Sequence, residues 1–138
     1  MPSRKLEDLH PTLVEAFNYA KEEFTKKNPS FPIPIITCTY RNDKEQDELF
    51  AQGRTKPGKI VTKAKAGQSP HNQLPAKAFD IAFQSGQMLD WNEKYFKKFA
   101  EILLQKYAVQ VKWGGTFISM PDRPHFELIG WNKNLKKS

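Results

Sequence analysis

The chain has 138 residues, of which 38% are hydrophobic and 12% aromatic, which fits one folded domain with one core and argues against disorder. Its 22 Lys and Arg against 15 Asp and Glu leave a net charge of +7, which favours polyanions: nucleic acid, cell-wall polymers or lipid headgroups. The single cysteine, Cys38, excludes an intramolecular disulfide and a cysteine-rich zinc ribbon and suits the cytoplasm, while no apolar run approaches the roughly 20 residues of a membrane span and Met1 to Asp8 lack a signal-peptide apolar core.

Leu6, Leu9, Leu13, Ala16, Phe17, Ala20 and Phe24 recur at three- and four-residue steps. They predict an amphipathic helix over about 6–27, its regular part beginning near His10 because Pro11 fits only in a first turn, with Asn28-Pro29 ending it. Phe31 to Tyr40 predicts a strand, whose Pro32 and Pro34 push its start to an edge. Asn42 or Asp43 caps a second helix, with Glu45 or Gln46 reaching back in a capping box, that ends near Gln52-Gly53. From Leu49 to Phe79 there is no acidic residue, whereas Arg54, Lys56, Lys59, Lys63, Lys65 and Lys77 are basic. With its glycines and prolines this stretch reads as a long ordered loop, holding a short strand at Ile60-Val61. Ala78 to Phe83 reads as a strand, followed by a turn and a hairpin return. Asp90 or Asn92 caps a third helix with Phe96, Phe99, Ala100, Leu103 and Tyr107 on its apolar face. Val109 to Trp113 is a strand, Gly114-Gly115 a turn, and His125 to Ile129 a last strand. Residues 130–138 form a polar, basic tail expected to fray. The expected fold is α+β, a small antiparallel sheet with about three helices packed on it, in one domain over 1–138.

Three separated residues carry the chemistry. Taken singly, each has a bland reading: His71 as a surface imidazole in a polar loop, Asp80 as an outward residue of an alternating strand, His125 as a packed imidazole. Together they are two imidazoles and a carboxylate, a common set for a catalytic zinc that leaves one position for water. Asp122 stands three residues before His125, with Pro124 stiffening the approach. It is either a turn-forming residue or a base able to reach that water without being consumed as a ligand. If the four converge, the chain has the groups for metal-assisted hydrolysis. His10, at a helix start, and Cys38, inside a strand, are not expected to ligate.

Ser69-x-His71…Asp80 followed by Asp122-x-x-His125-Phe126-Glu127, behind Tyr40-Arg41-x-x-x-x-Gln46, resembles the M15 family of zinc peptidases. That family includes D-Ala-D-Ala peptidases and the L-alanyl-D-glutamate peptidases of phage endolysins. The stretch from Phe50 to Thr62 looks especially like the endolysin branch, and the similarity runs from about Ile36 to Leu128. The resemblance implies one zinc ion on His71, Asp80 and His125, Asp122 as general base, and Arg41 on the developing oxyanion. It also implies substrate contacts at Ser69 and Trp113, Gln46 holding either Arg41 or the substrate, and Glu127 as a partner behind the ligands. Two departures stand out. Many relatives have His-x-x-Gly-x-Ala-x-Asp, whereas His71 and Asp80 are nine apart around Pro75, and where many relatives have an acid after the Trp-Gly-Gly turn this chain has Thr116 and Phe117.

The resulting expectation is a monomeric zinc endopeptidase, cutting the peptidoglycan stem peptide between L-Ala and D-Glu as a bacteriolytic, antimicrobial phage endolysin. It would reside in the host cytoplasm and meet the wall after holin-dependent release across the membrane. The basic loop and tail would steer it to anionic envelope polymers. A D,D-carboxypeptidase releasing terminal D-Ala is the alternative within the class. A non-catalytic nucleic-acid or envelope-binding module is the alternative outside it, but the basic stretch has little aromatic interleaving for base stacking, and specific nucleic-acid binding is not expected.

Overall fold

The structure, a computed structural model, describes residues 1–133. The expected basic tail therefore lies mostly outside the described residues. The first helix, α1, spans Pro11–Lys27, with His10 as its cap: the His10 Nδ1 accepts a 3.2 Å hydrogen bond from the Thr12 amide. The regular helix begins at Pro11, as expected, and Leu6–Asp8 form a separate 3-10 turn ahead of it, because Pro11 has no amide hydrogen to continue a helix from before it. The strand β1 covers Ile33–Cys38 at the edge of the sheet, where Pro34 is tolerated. Helix α2 is Asp43–Ala51, and its capping box joins Asn42 to Glu45, not Gln46.

Strand β2, Ala78–Ser85, turns at Gly86 into β3, Met88–Asp90. Helix α3, Glu93–Tyr107, starts where the Asn92 side chain accepts from the Lys94 amide. Strands β4, Val111–Trp113, and β5, His125–Leu128, complete a five-stranded sheet ordered β1-β2-β5-β4, with β3 also on β2 and every pair antiparallel. Val109, expected in β4, is 85% exposed and precedes it. The expected strand at Ile60-Val61 is absent, because side chains satisfy that loop instead of a neighbouring strand. Arg54 donates to the Phe50 and Thr62 carbonyls, Gln52 to that of Lys59, and Gln46 to that of Ala64.

Strand alternation divides the sheet into two faces. Phe79, Ile81 and Phe83 of β2 and Phe126 of β5 enter the core with α1 and α3. Phe79 and Phe126 stack at 5.2 Å, and Phe83 meets Phe96 edge-on at 4.8 Å. Each such buried ring contributes on the order of 2–3 kcal/mol by its removal from water. The alternate residues, Asp80, His125 and Glu127, emerge on the other face. A bulge between Ile36 and Cys38 adds one residue to β1, so Ile36 still pairs with core Ile81 while Cys38 pairs with Asp80. Cys38 is thereby turned from the core face to that of Asp80.

Candidate active site

Asp80 stands at the middle of the sheet, with Cys38 beside it on β1 and His125 beside it on β5. His71 arrives from the long connection. It lies in a 3-10 turn, Pro70–Asn72, capped by Ser69, whose Oγ accepts from the His71 amide at 3.2 Å. The Arg41 amide donates to the His71 carbonyl and the Asn72 side chain to the Arg41 carbonyl, both at 2.8 Å. The Lys77 amide then donates to the Pro70 carbonyl at 2.9 Å, folding the nine-residue step back on itself.

The three expected ligands converge. His71 Nε2 lies 3.2 Å and His125 Nδ1 3.0 Å from the same oxygen, Asp80 Oδ1. Donors about 2.0–2.1 Å from a tetrahedral ion would be about 3.3 Å apart, so these spacings fit a bound metal. The outer nitrogens are already held. His71 Nδ1 is 2.8 Å from the Thr39 carbonyl, and His125 Nε2 is 2.8 Å from Glu127 Oε1. Each ring can thus donate one N–H outward and keep the nitrogen facing Asp80 for a metal, once that nitrogen has lost its proton, as metal-binding imidazoles do. The ligand atoms of Asp80, Asp122 and His125 lie within 4.8 Å of one another, which brings Asp122 to the same centre.

Cys38, His71 and Asp80 form another group with the same spacing limit. The thiol, however, lies 3.6 Å from His71 Nδ1, the nitrogen that faces Thr39, and is 3.5 Å from the Arg41 Nη2 donor. Arg41 also donates to Gln46 Oε1 at 2.9 Å and lies 3.8 Å from Asp80 Oδ2. Gln46 is fully buried, with its amide nitrogen on the Ala64 carbonyl, so of its two expected roles it takes that of holding Arg41. Trp113 does not line the cleft either: its indole donates to the Arg123 carbonyl and its ring covers Gly115. Ser69 lines the cleft but is 6% exposed, with its hydroxyl capping the His71 turn. Trp131 was not foreseen. It lines the cleft and donates to Glu127 Oε2 at 2.8 Å, a contact hinted at only by its place four residues after Glu127.

Charge is balanced tightly here. Burial pulls both imidazoles down, but the Asp80 charge and hydrogen bonds outweigh it, aided by Cys38 at His71 and Glu127 at His125. In the metal-free protein they hold His71 at about 10 and His125 at about 9. Burial raises Asp80, yet the two imidazoles hold it well below the ordinary carboxylate value. Asp122 goes the other way. Its surface opens to the cleft, but the crowded surroundings and then the Asp80 charge push its carboxyl up. Filling the centre is therefore expected to release roughly two protons per ion near neutral pH. Calorimetry in buffers of different ionisation enthalpy reads this directly, and heats independent of buffer would contradict it.

These groups line a cleft of about 790 Å³. One wall is Ile60 to Ala64, the other Phe117 and Ser119 to Asp122, where Met120 adopts a φ of 55°, unusual for a side chain of its size. Gly114 underlies the second wall: a Cβ there would overlap the Asp122 carbonyl and lie 3.0 Å from His125 Cβ.

No family model matches the chain. It is 34% identical over 127 residues to the peptidoglycan L-alanyl-D-glutamate endopeptidase CwlK of Bacillus subtilis (strain 168), covering 88% of this chain and 74% of that protein. The crystal structure of the Serratia marcescens L-Ala D-Glu endopeptidase ChiX shares the fold, with a TM-score of 0.68 at 20% identity over 96% of this chain and 92% of that one.

Proposed function

The chain belongs to the M15-type family of peptidoglycan L-alanyl-D-glutamate endopeptidases, and from that premise we propose that it hydrolyses the stem peptide between L-Ala and D-Glu with zinc on His71, Asp80 and His125. The observation that carries this reading is the convergence of two inward imidazole nitrogens on one Asp80 oxygen, beside the raised carboxyl of Asp122. Zinc held there would polarise the scissile carbonyl and acidify water. Asp122 takes the proton of the attacking water and passes it to the leaving amine. Its raised affinity for protons suits both halves of that transfer. Arg41, held by Gln46, offers its guanidinium to the oxyanion that develops on the carbonyl. Thr39, Glu127 and Trp131 keep the imidazoles oriented.

The same proposal extends to a monomeric, bacteriolytic endolysin that reaches the wall after release across the membrane. The likeness of Phe50 to Thr62 to the endolysin branch supports this, and the basic loop supports attraction to anionic envelope polymers. Mass spectrometry of digested peptidoglycan tests the chemistry. A new N-terminal D-Glu, lost with chelator and regained with zinc, is expected. Free D-Ala instead would make the protein a D,D-carboxypeptidase, and no product at all would refute hydrolysis.

A further inference from the structure

The cleft holds a cation that the catalytic reading does not use. Its permanent charges are three carboxylates, Asp80, Asp122 and Glu127, and two cations, Arg41 and Lys63. Arg41 is engaged by Gln46, Cys38 and Asp80. Lys63 is exposed at the rim, and its ammonium donates a 2.6 Å hydrogen bond across the cleft to the neutral hydroxyl of Ser119. It forms no ion pair with any carboxylate among the described residues. The neighbouring Arg54 is turned away, onto the Phe50 and Thr62 carbonyls. Lys63 alone therefore presents an uncommitted positive charge to whatever fills the cleft.

The substrate bears a matching charge. A glutamyl residue spends one carboxyl on the next link of its chain and keeps the other free. Cleavage on its amino side therefore leaves a spare carboxylate a few bonds from the departing nitrogen. In the reading above, Asp122 protonates that nitrogen. Ser119, which holds the Lys63 ammonium, is three residues from Asp122 on the same wall. We propose that Lys63, positioned by Ser119, is a carboxylate subsite on the leaving-group side, reading the free carboxylate of the glutamyl residue. This rests on the L-Ala–D-Glu assignment. It makes the enzyme prefer stem peptides whose glutamyl carboxylate is free over those in which it is a carboxamide.

An exposed ammonium–carboxylate pair is modest and screened by salt, so the preference should be about fivefold and smaller at high ionic strength. The test uses two synthetic stem peptides, alike except that the spare glutamyl carboxyl is an acid in one and a carboxamide in the other. Wild-type protein should favour the acid through KM. In Lys63→Gln the acid-to-amide ratio of kcat/KM should fall to about one, and Lys63→Arg should retain most of it. A wild-type protein that cuts both peptides equally, or a Lys63→Gln ratio equal to the wild-type one, would overturn the subsite while sparing the assigned bond. A wild-type protein that cuts neither at L-Ala–D-Glu would overturn the assigned bond and the subsite with it.

Discussion

Asp122→Asn is expected to lower kcat by about 10²- to 10⁴-fold, the usual worth of a positioned acid–base group, with little change in bound metal. Asparagine keeps the size and the hydrogen-bonding oxygen of the side chain but cannot take up a proton. Crowding and the nearby Asp80 hold the Asp122 carboxyl above its ordinary value of 3.8, and His125, His71 and Arg41 offset this only in part. A base works when deprotonated, so kcat/KM should rise with pH through that raised value. Steady-state kinetics with metal analysis checks both. A variant that kept its metal and its full turnover would remove Asp122 from the proton path.

The other large effect belongs to Asp80→Asn. It should weaken metal binding by more than about 100-fold, beyond the cost of losing an orienting partner, and reduce hydrolysis to background. It should also change how the metal-free protein responds to pH. His71 and His125 hold protons up to about 10 and 9 in the folded chain, against an ordinary 6.5. The stability they contribute is complete below pH 6.5 and is lost as pH rises through 9 and 10. Asp80 contributes above its ordinary 3.8, and that share is lost as pH falls through its depressed value. With Asn in its place, only Cys38 at His71 and Glu127 at His125 would oppose the downward pull of burial, and the alkaline loss should shrink. Urea midpoints of chelator-treated protein at pH 6 and pH 9.5 test this. An alkaline decline as steep as that of the wild type would show that Asp80 does not hold those protons.

The sequence makes alternating residues easy to read and long-range closure hard. Phe79-Asp80 and His125-Phe126 each set one core residue beside one site residue, and the antiparallel register of β2 and β5 then brings the pairs together. The apolar stripes of α1 and α3 were visible for the same reason. The bulge that turns Cys38 toward Asp80 leaves no mark in local composition, because an inserted residue looks like any other strand residue. Residue type does not distinguish Trp113 from Trp131, and only the packing of one over Gly115 and the bond of the other to Glu127 separates them. Gln46 suits several roles by type, but complete burial with both amide ends occupied leaves it one. The Lys63–Ser119 contact joins residues 56 positions apart and could not be read from either segment.

Neither of the segments 53–68 and 115–121, which wall the cleft, contributes a residue to the hydrophobic core, whereas β2 and β5 contribute to core and centre alike. The two halves of the enzyme are thus under different constraint. A change in β2 or β5 disturbs folding and chemistry at once, but the walls can be recut at little cost in stability. Lineages meeting differently decorated walls can therefore diverge in what they accept, while inheriting unaltered the centre that does the cutting.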